Sequence, residues 1–394
     1  MANNNKHTGP NVPALRFPEF SGEWKKFRVS DFIEFFPTNS LSWDQLQYRG
    51  AGLLNLHYGM IHNGLPVQVD ASKNALPSIK EDYYPKKYTL CKEGDIAFAD
   101  ASEDTNDVGK AIEFNNCAGK SIVCGLHTIH GRDRLGLTSI GFKGYLFSSK
   151  VYHDQIKSIA QGTKVFSIKA SNFDEVILGL PKKEEQKKIS SLLMAIDDRI
   201  LTQSKIIEEL KTLRSALRYK LLNEMMVERM AKLGELCRIT TGKLDANAMV
   251  EGGGYPFFTC AEQVYEIDRY AFDTEALLVS GNGANLGYIH YYCGKFNAYQ
   301  RTYVLSDFSE DIQYLRQYLE AYLSKRIESE KNTGNTPYIV LGTLADMEIK
   351  LPRVPEQQRI AHDLSVLSQK IENETQMFEL FIQEKKTLLD KMFI

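Results

Sequence analysis

The chain has 394 residues, of which 43% are hydrophobic and 25% charged, and its 48 basic and 50 acidic side chains leave a formal net charge of −2. This length suits two to three domains with buried cores. There is no run of 18 apolar residues and no signal-peptide pattern, so we expect a cytoplasmic protein without membrane association. The charge balance also disfavours binding to nucleic acid without help, because neutralising phosphates takes a surplus of lysine and arginine.

The cysteines are scattered without a Cys-x-x-Cys pair, which indicates neither a zinc ribbon nor a disulfide framework. We expect them to be reduced and mostly buried. Cys124, His127 and His130 follow one another at spacings of three, as metal ligands can, but no fourth ligand is evident close by, and we assign no metal site. The six cysteines are Cys91, Cys117, Cys124, Cys237, Cys260 and Cys293.

Residues 1–180 are predicted to form a first domain of mixed α+β structure. The domain opens with a charged stretch that leads into an apolar run, KKFRVSDF from Lys25, and it closes with DEVILGLP from Asp174. Short runs rich in aromatic and β-branched residues lie between, such as GDIAFAD from Gly94. These runs, broken by glycine, asparagine and aspartate, predict short strands joined by turns.

Residues 181–226 are predicted to form a long helix. Its inward-facing residues recur at alternating steps of four and three over about five heptads, the pattern of a coiled-coil seam. Pro181 stands just inside the start of the helix, where the missing N–H costs nothing. The seam residues are Ile189, Leu193, Ile196, Ile200, Gln203, Ile207, Leu210, Arg214, Leu217 and Leu221.

Residues 227–351 are predicted to form a second α+β domain, which opens with AKLGELCRI from Ala231 and closes with DMEIKLP from Asp346. The runs ALLVS and YIHYY predict strands, and DIQYLRQYLEAYLSKRI from Asp311 predicts a helix. The first domain is longer by about 40 residues, and we expect most of the difference in a loop region between residues 39 and 89.

Residues 352–394 repeat the long helix about 171 residues after the first copy. The anchors of the repeat include a Leu-Pro pair, a Glu-Gln pair and several seam positions. The repeated Leu-Pro pairs are Leu180-Pro181 and Leu351-Pro352, and the Glu-Gln pairs are Glu185-Gln186 and Glu356-Gln357. The second seam consists of Ile360, Leu364, Leu367, Ile371, Glu374, Phe378, Phe381, Lys385, Leu388 and Met392.

We predict that the two helices pack on each other as an antiparallel coiled coil, related by an approximate two-fold axis. Each seam has two polar interruptions, and they fall at the same two places. A register that places Gln203 beside Lys385 and Arg214 beside Glu374 joins every a position to a d position, as an antiparallel pair requires. The alternative is that each helix only caps its own domain.

Two short motifs were tested for enzymatic function. GNGANLG from Gly281 is followed by YIHYY where a nucleotide-binding motif would open a helix, so we interpret it as a glycine-rich turn between strands. GNTPY from Gly334 is a near miss to the Asn-Pro-Pro-Tyr motif of adenine-N6 methyltransferases, with Thr336 in place of the first proline. An autonomous adenine-N6 DNA methyltransferase therefore stays an alternative, as does a coiled-coil scaffold without DNA recognition.

The chain resembles the specificity subunits of type I DNA restriction-modification enzymes. The similarity covers essentially the whole chain and includes both helices that follow a Leu-Pro pair. The motifs that carry it are PALRFPEFSGEW from Pro13, EFFPTNSLSW from Glu34, GDIAFADASEDTNDVGKAIEF from Gly94, YPFFTCAEQVYEID from Tyr255 and LLVSGNGANLGYIHYYCGKFNAYQRTYVL from Leu277.

The resemblance implies two pseudo-symmetric target recognition domains, residues 1–180 and 227–351, each reading one half of an interrupted DNA sequence. The spacer helices, residues 181–226 and 352–394, would set the separation and dock methyltransferase subunits. Two methyltransferase subunits and, in the restricting complex, two translocase-nuclease subunits are the implied partners. S-adenosylmethionine, ATP and Mg are expected on those partners, with no cofactor and no catalytic residue in this chain.

DNA contact needs arginine, lysine, asparagine or glutamine for bases, and hydroxyl, aromatic or basic side chains for the backbone. We expect such residues on loops or helix ends that reach the major groove. In the first domain the candidates are Asn39, Trp43, Tyr48, Arg49, Lys110, His127, His130, Arg132, Arg134 and Lys143. In the second domain they are Thr241, Lys243, Asn247, Asn282, Asn285, Asn297, Gln300, Arg301 and Thr302.

Overall fold

A computed structural model describes residues 11–48, 52–105, 107–330 and 338–394. The chain divides into two compact units. Unit 1 comprises Met1–Gln203 with Met377–Ile394, and unit 2 comprises Ser204–Gln376. Within the described ranges, no helix is both long and apolar enough to cross a membrane.

Unit 1 has thirteen short strands and four short helices before its first long helix, counted over the described residues. The strands are β1 (Lys25–Arg28), β2 (Ile33–Phe36), β3 (Leu46–Gln47), β4 (Leu54–Leu56), β5 (Gln68–Asp70), β6 (Ser78–Ile79), β7 (Ile96–Ala99), β8 (Ala101–Ser102), β9 (Ala111–Asn116), β10 (Ile122–Cys124), β11 (Thr128–Asp133), β12 (Phe166–Ser167) and β13 (Ile177–Leu180). The helices are α1 (Val29–Phe32), α2 (Tyr58–His62), α3 (Phe142–Leu146) and α4 (Lys150–Ile159).

Two larger sheets form the body of unit 1. A five-stranded sheet has the order β2-β11-β7-β9-β5, and a four-stranded sheet has the order β10-β4-β6-β3. The region between residues 39 and 89, which was predicted to be loop, also supplies the short strands β3 to β6 and helix α2. Its strands are only two or three residues long, too short for an alternating pattern to stand out in the sequence.

Two long helices cross the boundary between the units, α5 (Lys183–Glu224, 42 residues) and α9 (Val354–Lys391, 38 residues). Unit 2 contains eight further strands and three further helices among the described residues. In chain order they are β14 (Arg229–Lys232), α6 (Leu233–Leu236), β15 (Arg238–Thr241), β16 (Tyr255–Phe258), β17 (Tyr265–Ile267), β18 (Phe272–Ser280), β19 (Ile289–Ala298), β20 (Thr302–Ser306), α7 (Ile312–Ser329), α8 (Leu341–Ala345) and β21 (Glu348–Leu351).

The body of unit 2 is one six-stranded sheet with the order β15-β20-β18-β19-β16-β17. The glycine-rich motif forms the turn between strands β18 and β19, as predicted, and both Gly283 and Gly287 have φ of 82°. A side chain at Gly287 would also stand 2.9 Å from Ile327 of α7. Helix α7 begins where predicted, because the Asp311 side chain accepts a hydrogen bond of 2.8 Å from the backbone N–H of Tyr314.

Both units share the same frame, in which an opening strand pairs antiparallel with a closing strand. In unit 1 these strands are β1 and β13, and in unit 2 they are β14 and β21. Each closing strand leads through a Leu-Pro pair into a long helix. Gln186 of α5 donates a hydrogen bond to the Pro181 carbonyl, and Gln357 of α9 donates one to the Pro352 carbonyl, each at 2.9 Å. Both glutamine side chains are buried, so their amides fix how each helix leaves its domain.

The long helices pair antiparallel within each unit, which confirms the predicted α+β fold with coiled-coil segments. In unit 1 the last part of α9 lies beside the first part of α5. Lys385 forms an ion pair of 2.5 Å with Asp197, and the Arg199 guanidinium lies 5.7 Å from the centre of the Phe381 ring. These contacts run in opposite directions along the two helices, as an antiparallel pair requires.

The predicted register was wrong by about one heptad. In unit 2, Arg214 donates a hydrogen bond of 3.1 Å to the Ser368 hydroxyl, whereas its predicted neighbour was Glu374. Lys385 likewise forms an ion pair with Asp197, whereas its predicted neighbour was Gln203. Both observed partners stand six residues before the predicted ones. This displacement is close to one heptad of seven residues, and a shift by a full heptad would keep every a position against a d position, so the apolar pattern does not distinguish the two registers.

The ends of the helices decide between the two registers. In unit 1, Phe393 packs in the core against Phe142, and the carbonyl of Ile394 accepts a hydrogen bond of 2.7 Å from the N–H of Gly179. A Cβ atom at Gly179 would come within 2.5 Å of the Ile394 side chain, so a larger residue there would force Ile394 to move. In unit 2 the last turn of α5 places Leu222 in the core. These anchors outweigh any matching of polar seam residues, because burying a large apolar side chain stabilises the fold more than one polar pair does.

Candidate DNA interface

In unit 2, backbone hydrogen bonds bring together three loops that carry predicted DNA-binding residues. The N–H of Gln300 donates to the Leu244 carbonyl at 2.8 Å, and the N–H of Gly281 donates to the Arg301 carbonyl at 2.9 Å. The Gln300 side chain also donates to Asp245 at 2.7 Å. The candidates whose side chains remain at least partly exposed in these loops and at the end of strand β15 are Thr241, Lys243, Asn247, Asn282, Asn285, Gln300 and Arg301.

A groove of about 650 Å³ lies beside two of these residues, Thr241 and Lys243. Arg238 and Arg269, which the sequence analysis did not select, contribute two more cations to its lining. Both arginines are exposed, and no motif in the sequence marks either of them as a candidate for DNA binding. Asp273 also lines the groove, so its surface carries both signs of charge.

Two candidates of unit 2 have structural roles. Asn297 is 3% exposed, and its amide donates to the Arg269 carbonyl at 3.0 Å and accepts from the N–H of Ala298 at 2.9 Å. Thr302 is fully buried at the start of strand β20. We therefore remove both from the set of DNA-binding candidates, because Thr302 is fully buried, and Asn297, although it lines the groove, uses its amide for two backbone hydrogen bonds.

In unit 1, several candidates surround helix α2. The Trp43 ring stacks on His57 with 4.3 Å between ring centres, and His127 lies edge-on to Tyr58 at 5.1 Å. Lys110 donates a hydrogen bond of 3.0 Å to the backbone carbonyl of His62, the last residue of the helix.

The aromatic surface around helix α2 is partly exposed and contains histidines that the sequence analysis did not select. Trp43 is 45% exposed and Tyr48 is 65% exposed, so flat aromatic faces meet solvent beside the helix. Burial, followed by the charge of the nearby His127, lowers the pKa of His57. No local sequence pattern marks His57 and Tyr58, because only the fold brings them beside Trp43 and His127.

His127 occupies a strained position in the turn between strands β10 and β11. Its φ is 53°, a left-handed conformation that side chains rarely adopt, and its ring lies 3.1 Å from the Asp100 carboxylate. The ring is exposed, in contrast to the buried side chains of Cys124 and His130. The spacing of three therefore does not gather these residues into one site, because the turn directs His127 outward.

The other basic candidates of unit 1 hold the domain together. His130 is fully buried and Lys143 is 2% exposed, and they pair with Asp95 at 2.8 Å and with Glu113 at 2.9 Å. Burial removes both from the proposed DNA-binding set.

Arg132 and Asn39 also make internal hydrogen bonds. Arg132 donates from Nε and Nη2 to the Asp95 carboxylate, at 2.8 and 2.6 Å. The Asn39 amide holds a loop by donating to Asn55 and to the Cys124 carbonyl. Arg134 donates a hydrogen bond to the Asp31 carbonyl, but its side chain is exposed, so it stays in the set of DNA-binding candidates. The candidate Arg49 lies outside the described residues.

Comparison with known proteins identifies the family. The sequence profile described as the type I restriction modification DNA specificity domain matches residues 139–212 and 227–379. A 143-residue stretch is 46% identical to the EcoDI specificity subunit of Escherichia coli, covering 36% of this chain but only 31% of that relative. A putative type I specificity subunit of Mycoplasma genitalium is 24% identical over 73% of this chain and 79% of its own length.

Solved structures share the fold. The crystal structure of a type I restriction-modification S subunit from M. genitalium superimposes with a TM-score of 0.62 at 17% identity, over 97% of this chain and 99% of that one. A chain from a study of complex assembly and conformational transition in a type I system gives a TM-score of 0.56 at 16% identity, over 94% of this chain and 97% of that one. With the family profile matching more than half of its residues, the chain belongs to the family of type I restriction-modification DNA specificity subunits.

Proposed function

We propose that this chain directs a type I methyltransferase to an interrupted DNA sequence, with each globular domain reading one half. The observation that carries the proposal is the repeated frame, in which paired opening and closing strands and a helix after Leu-Pro occur in both units, whereas the sheets between them differ. A common frame with different recognition sheets is what two readers of unlike half-sites need.

In the second domain, the loops around Gln300 provide the chemistry for both kinds of contact. Arg301 carries the planar donor set that recognises guanine, and Gln300 or Asn247 carries the amide that recognises adenine. Lys243, Arg238 and the groove they line supply positive charge for phosphates. We propose that these residues form the reading surface of this domain.

In the first domain, we propose that the surface around α2 is the reading surface. Trp43, Tyr48 and His127 are exposed there, and Lys110 adds a cation at the end of the helix. Aromatic and histidine side chains contact sugars and bases without adding much charge. This fits a chain whose net charge is −2 and which must share the neutralisation of phosphates with partners.

We propose two methyltransferase subunits as those partners, joined by two translocase-nuclease subunits when the complex restricts DNA. The cofactors S-adenosylmethionine, ATP and Mg would bind to these partners. The paired helices would dock the methyltransferase subunits and set the separation of the two half-sites.

The test is to map N6-methyladenine across the genome of a host that expresses the partner methyltransferase, with and without this chain. We expect one bipartite motif to be methylated only when the chain is present. Methylation by the purified chain alone with S-adenosylmethionine would instead identify an autonomous methyltransferase. An unchanged methylation pattern after deletion of either globular domain would identify a scaffold without DNA recognition.

A further inference from the structure

Unit 1 contains a buried cluster of soft metal ligands that the proposed function does not use. Cys91 precedes strand β7, Cys124 ends β10 and His130 lies in β11. Among the described residues, these three offer ligand atoms that all lie within 4.8 Å of one another. Their exposures are 6%, 2% and 0%, so the cluster is enclosed by protein. Three separate segments thus bring two thiols and an imidazole to one point.

The histidine of this cluster is oriented as metal-binding histidines usually are. One ring nitrogen of His130, Nε2, forms a hydrogen bond of 2.8 Å with the Asp95 carboxylate. Asp95 is held in turn by two hydrogen bonds from Arg132. The other ring nitrogen, Nδ1, is buried and has no hydrogen-bond partner in the described part of the chain. A carboxylate on one nitrogen and a metal on the other is the usual arrangement of a ligating histidine.

The separation of the two sulfur atoms suits a shared metal ion. The Sγ atoms of Cys91 and Cys124 are 3.6 Å apart. Two thiolates on a tetrahedral zinc ion stand about 3.8 Å apart, given Zn–S bonds of about 2.3 Å, whereas a disulfide bond is about 2.05 Å. Buried thiols also pack as small apolar groups. That explanation accounts for the sulfur atoms but leaves the buried Nδ1 of His130 unsatisfied, which is costly in a protein interior.

A cavity lies beside one member of the cluster. A cavity of about 160 Å³ is lined by Cys124 and by two nearby segments, represented by Asn39 and Thr89. Entry beside a ligand is a requirement for a site that is loaded after folding.

We propose that Cys91, Cys124 and His130 bind a Zn²⁺ ion in unit 1. Two thiolates and one imidazole are the donor set that zinc prefers, and each thiol loses its proton to solvent when the metal binds. The ion links strand β10 of the four-stranded sheet to β11 of the five-stranded sheet and to the segment before β7. A third thiol, Cys117, is buried nearby, with its Sγ 3.9 Å from the Cys91 carbonyl, but it does not belong to the group of three ligands whose atoms lie within 4.8 Å of one another. The inference does not depend on DNA recognition.

The first experiment measures metal content. The full chain is expressed with added zinc and without a histidine tag, and metal is determined by mass spectrometry after gel filtration. We expect about one zinc per chain in the natural protein, and less than about one tenth in a variant with both Cys91→Ser and Cys124→Ser. Cys237→Ser is the matched control, because Cys237 is a buried cysteine of unit 2 outside the cluster, and it should retain the metal.

The second experiment needs no variant, so it remains decisive if the double variant fails to fold. The metal-free natural chain is titrated with Co²⁺, and thiolate ligation should give a charge-transfer absorption that saturates at about one equivalent and disappears when Zn²⁺ is added. Absence of both zinc retention and the cobalt signal would overturn the proposal. Metal retained by the double variant, or a Cys91–Cys124 disulfide in chain purified without reductant, would also overturn it.

Discussion

The two globular domains share a frame but fill it differently. In unit 1 the space between the opening and closing strands holds two sheets, of four and five strands, whereas in unit 2 it holds one sheet of six strands. The frame has to be the same because it closes each core and starts each long helix. The enclosed sheets are free to differ, because their loops and not their topology meet the ligand.

The domains also differ in what stabilises their interiors. Unit 1 fully buries a charged pair, Lys143 of α3 with Glu113 of β9, whose side chains are 2% and 0% exposed. In unit 2 the most buried ion pair among the described residues is Arg218 with Glu320, whose side chains are 9% and 20% exposed. The comparison predicts that mutations in the two domains will have different consequences for specificity and for stability.

The largest expected effect comes from exchanging a whole domain. Replacing residues 230–351 by the corresponding segment of another family member should change one half of the methylated motif and leave the other half intact. Genome-wide mapping of N6-methyladenine in cells with the partner methyltransferase measures both halves. A change in both halves would contradict the division of labour, and exchange of residues 29–176 is the reciprocal control.

The next largest effect is on stability, where losing a buried ion pair should cost more than losing an exposed one. Lys143→Ala removes one partner of a buried pair and leaves the Glu113 carboxylate without compensation, which should cost about 3 to 5 kcal/mol in the free energy of unfolding. Lys232→Ala removes an exposed pair with Asp346 in unit 2, and it should lower the free energy of unfolding far less, because solvent screens this pair. Urea denaturation of both variants checks this, and equal losses would refute the contrast.

Lys243→Ala should weaken DNA binding without changing the motif that is read. The side chain is exposed at the groove of unit 2 and is proposed to contact phosphate. Loss of one phosphate contact should lower the slope of log affinity against log salt by about 1. The assembled methyltransferase complex is titrated with target DNA at several salt concentrations. Lys232→Ala in the frame should leave the slope unchanged, and an unchanged slope for Lys243→Ala would exclude it from the interface.

The smallest effect concerns the pH dependence of stability. Burial lowers the pKa of His290 more than its hydrogen bond to the Ala261 carbonyl raises it. In this pH range the folded state therefore binds fewer protons than the unfolded state. As a result, the free energy of unfolding is highest above about pH 6.5, and it declines as the pH falls from there toward the folded pKa of His290. His290→Gln keeps an N–H donor and should flatten the unfolding free energy between about pH 7 and 5. A slope as steep as in the natural protein would show that His290 does not contribute.

The sequence by itself determined the duplicated organisation of the chain. The Leu-Pro pairs, the Glu-Gln pairs and the heptad seams are local patterns, and each reports a feature that neighbouring residues enforce, such as a helix start or an apolar helix face. The long hairpin and helix α7 of unit 2 were predictable for the same reason, because their strands and helix are long enough to show a period.

Tertiary structure alone decided the register of the helices and whether each polar side chain is exposed or makes an internal contact. A shift by one heptad preserves the apolar pattern, so only the anchoring of Phe393 and Leu222 in separate cores selects the register. Whether a histidine or lysine faces DNA or an internal carboxylate depends on residues far away in the chain. His130 meets Asp95, which lies 35 positions earlier, and no local spacing encodes that contact.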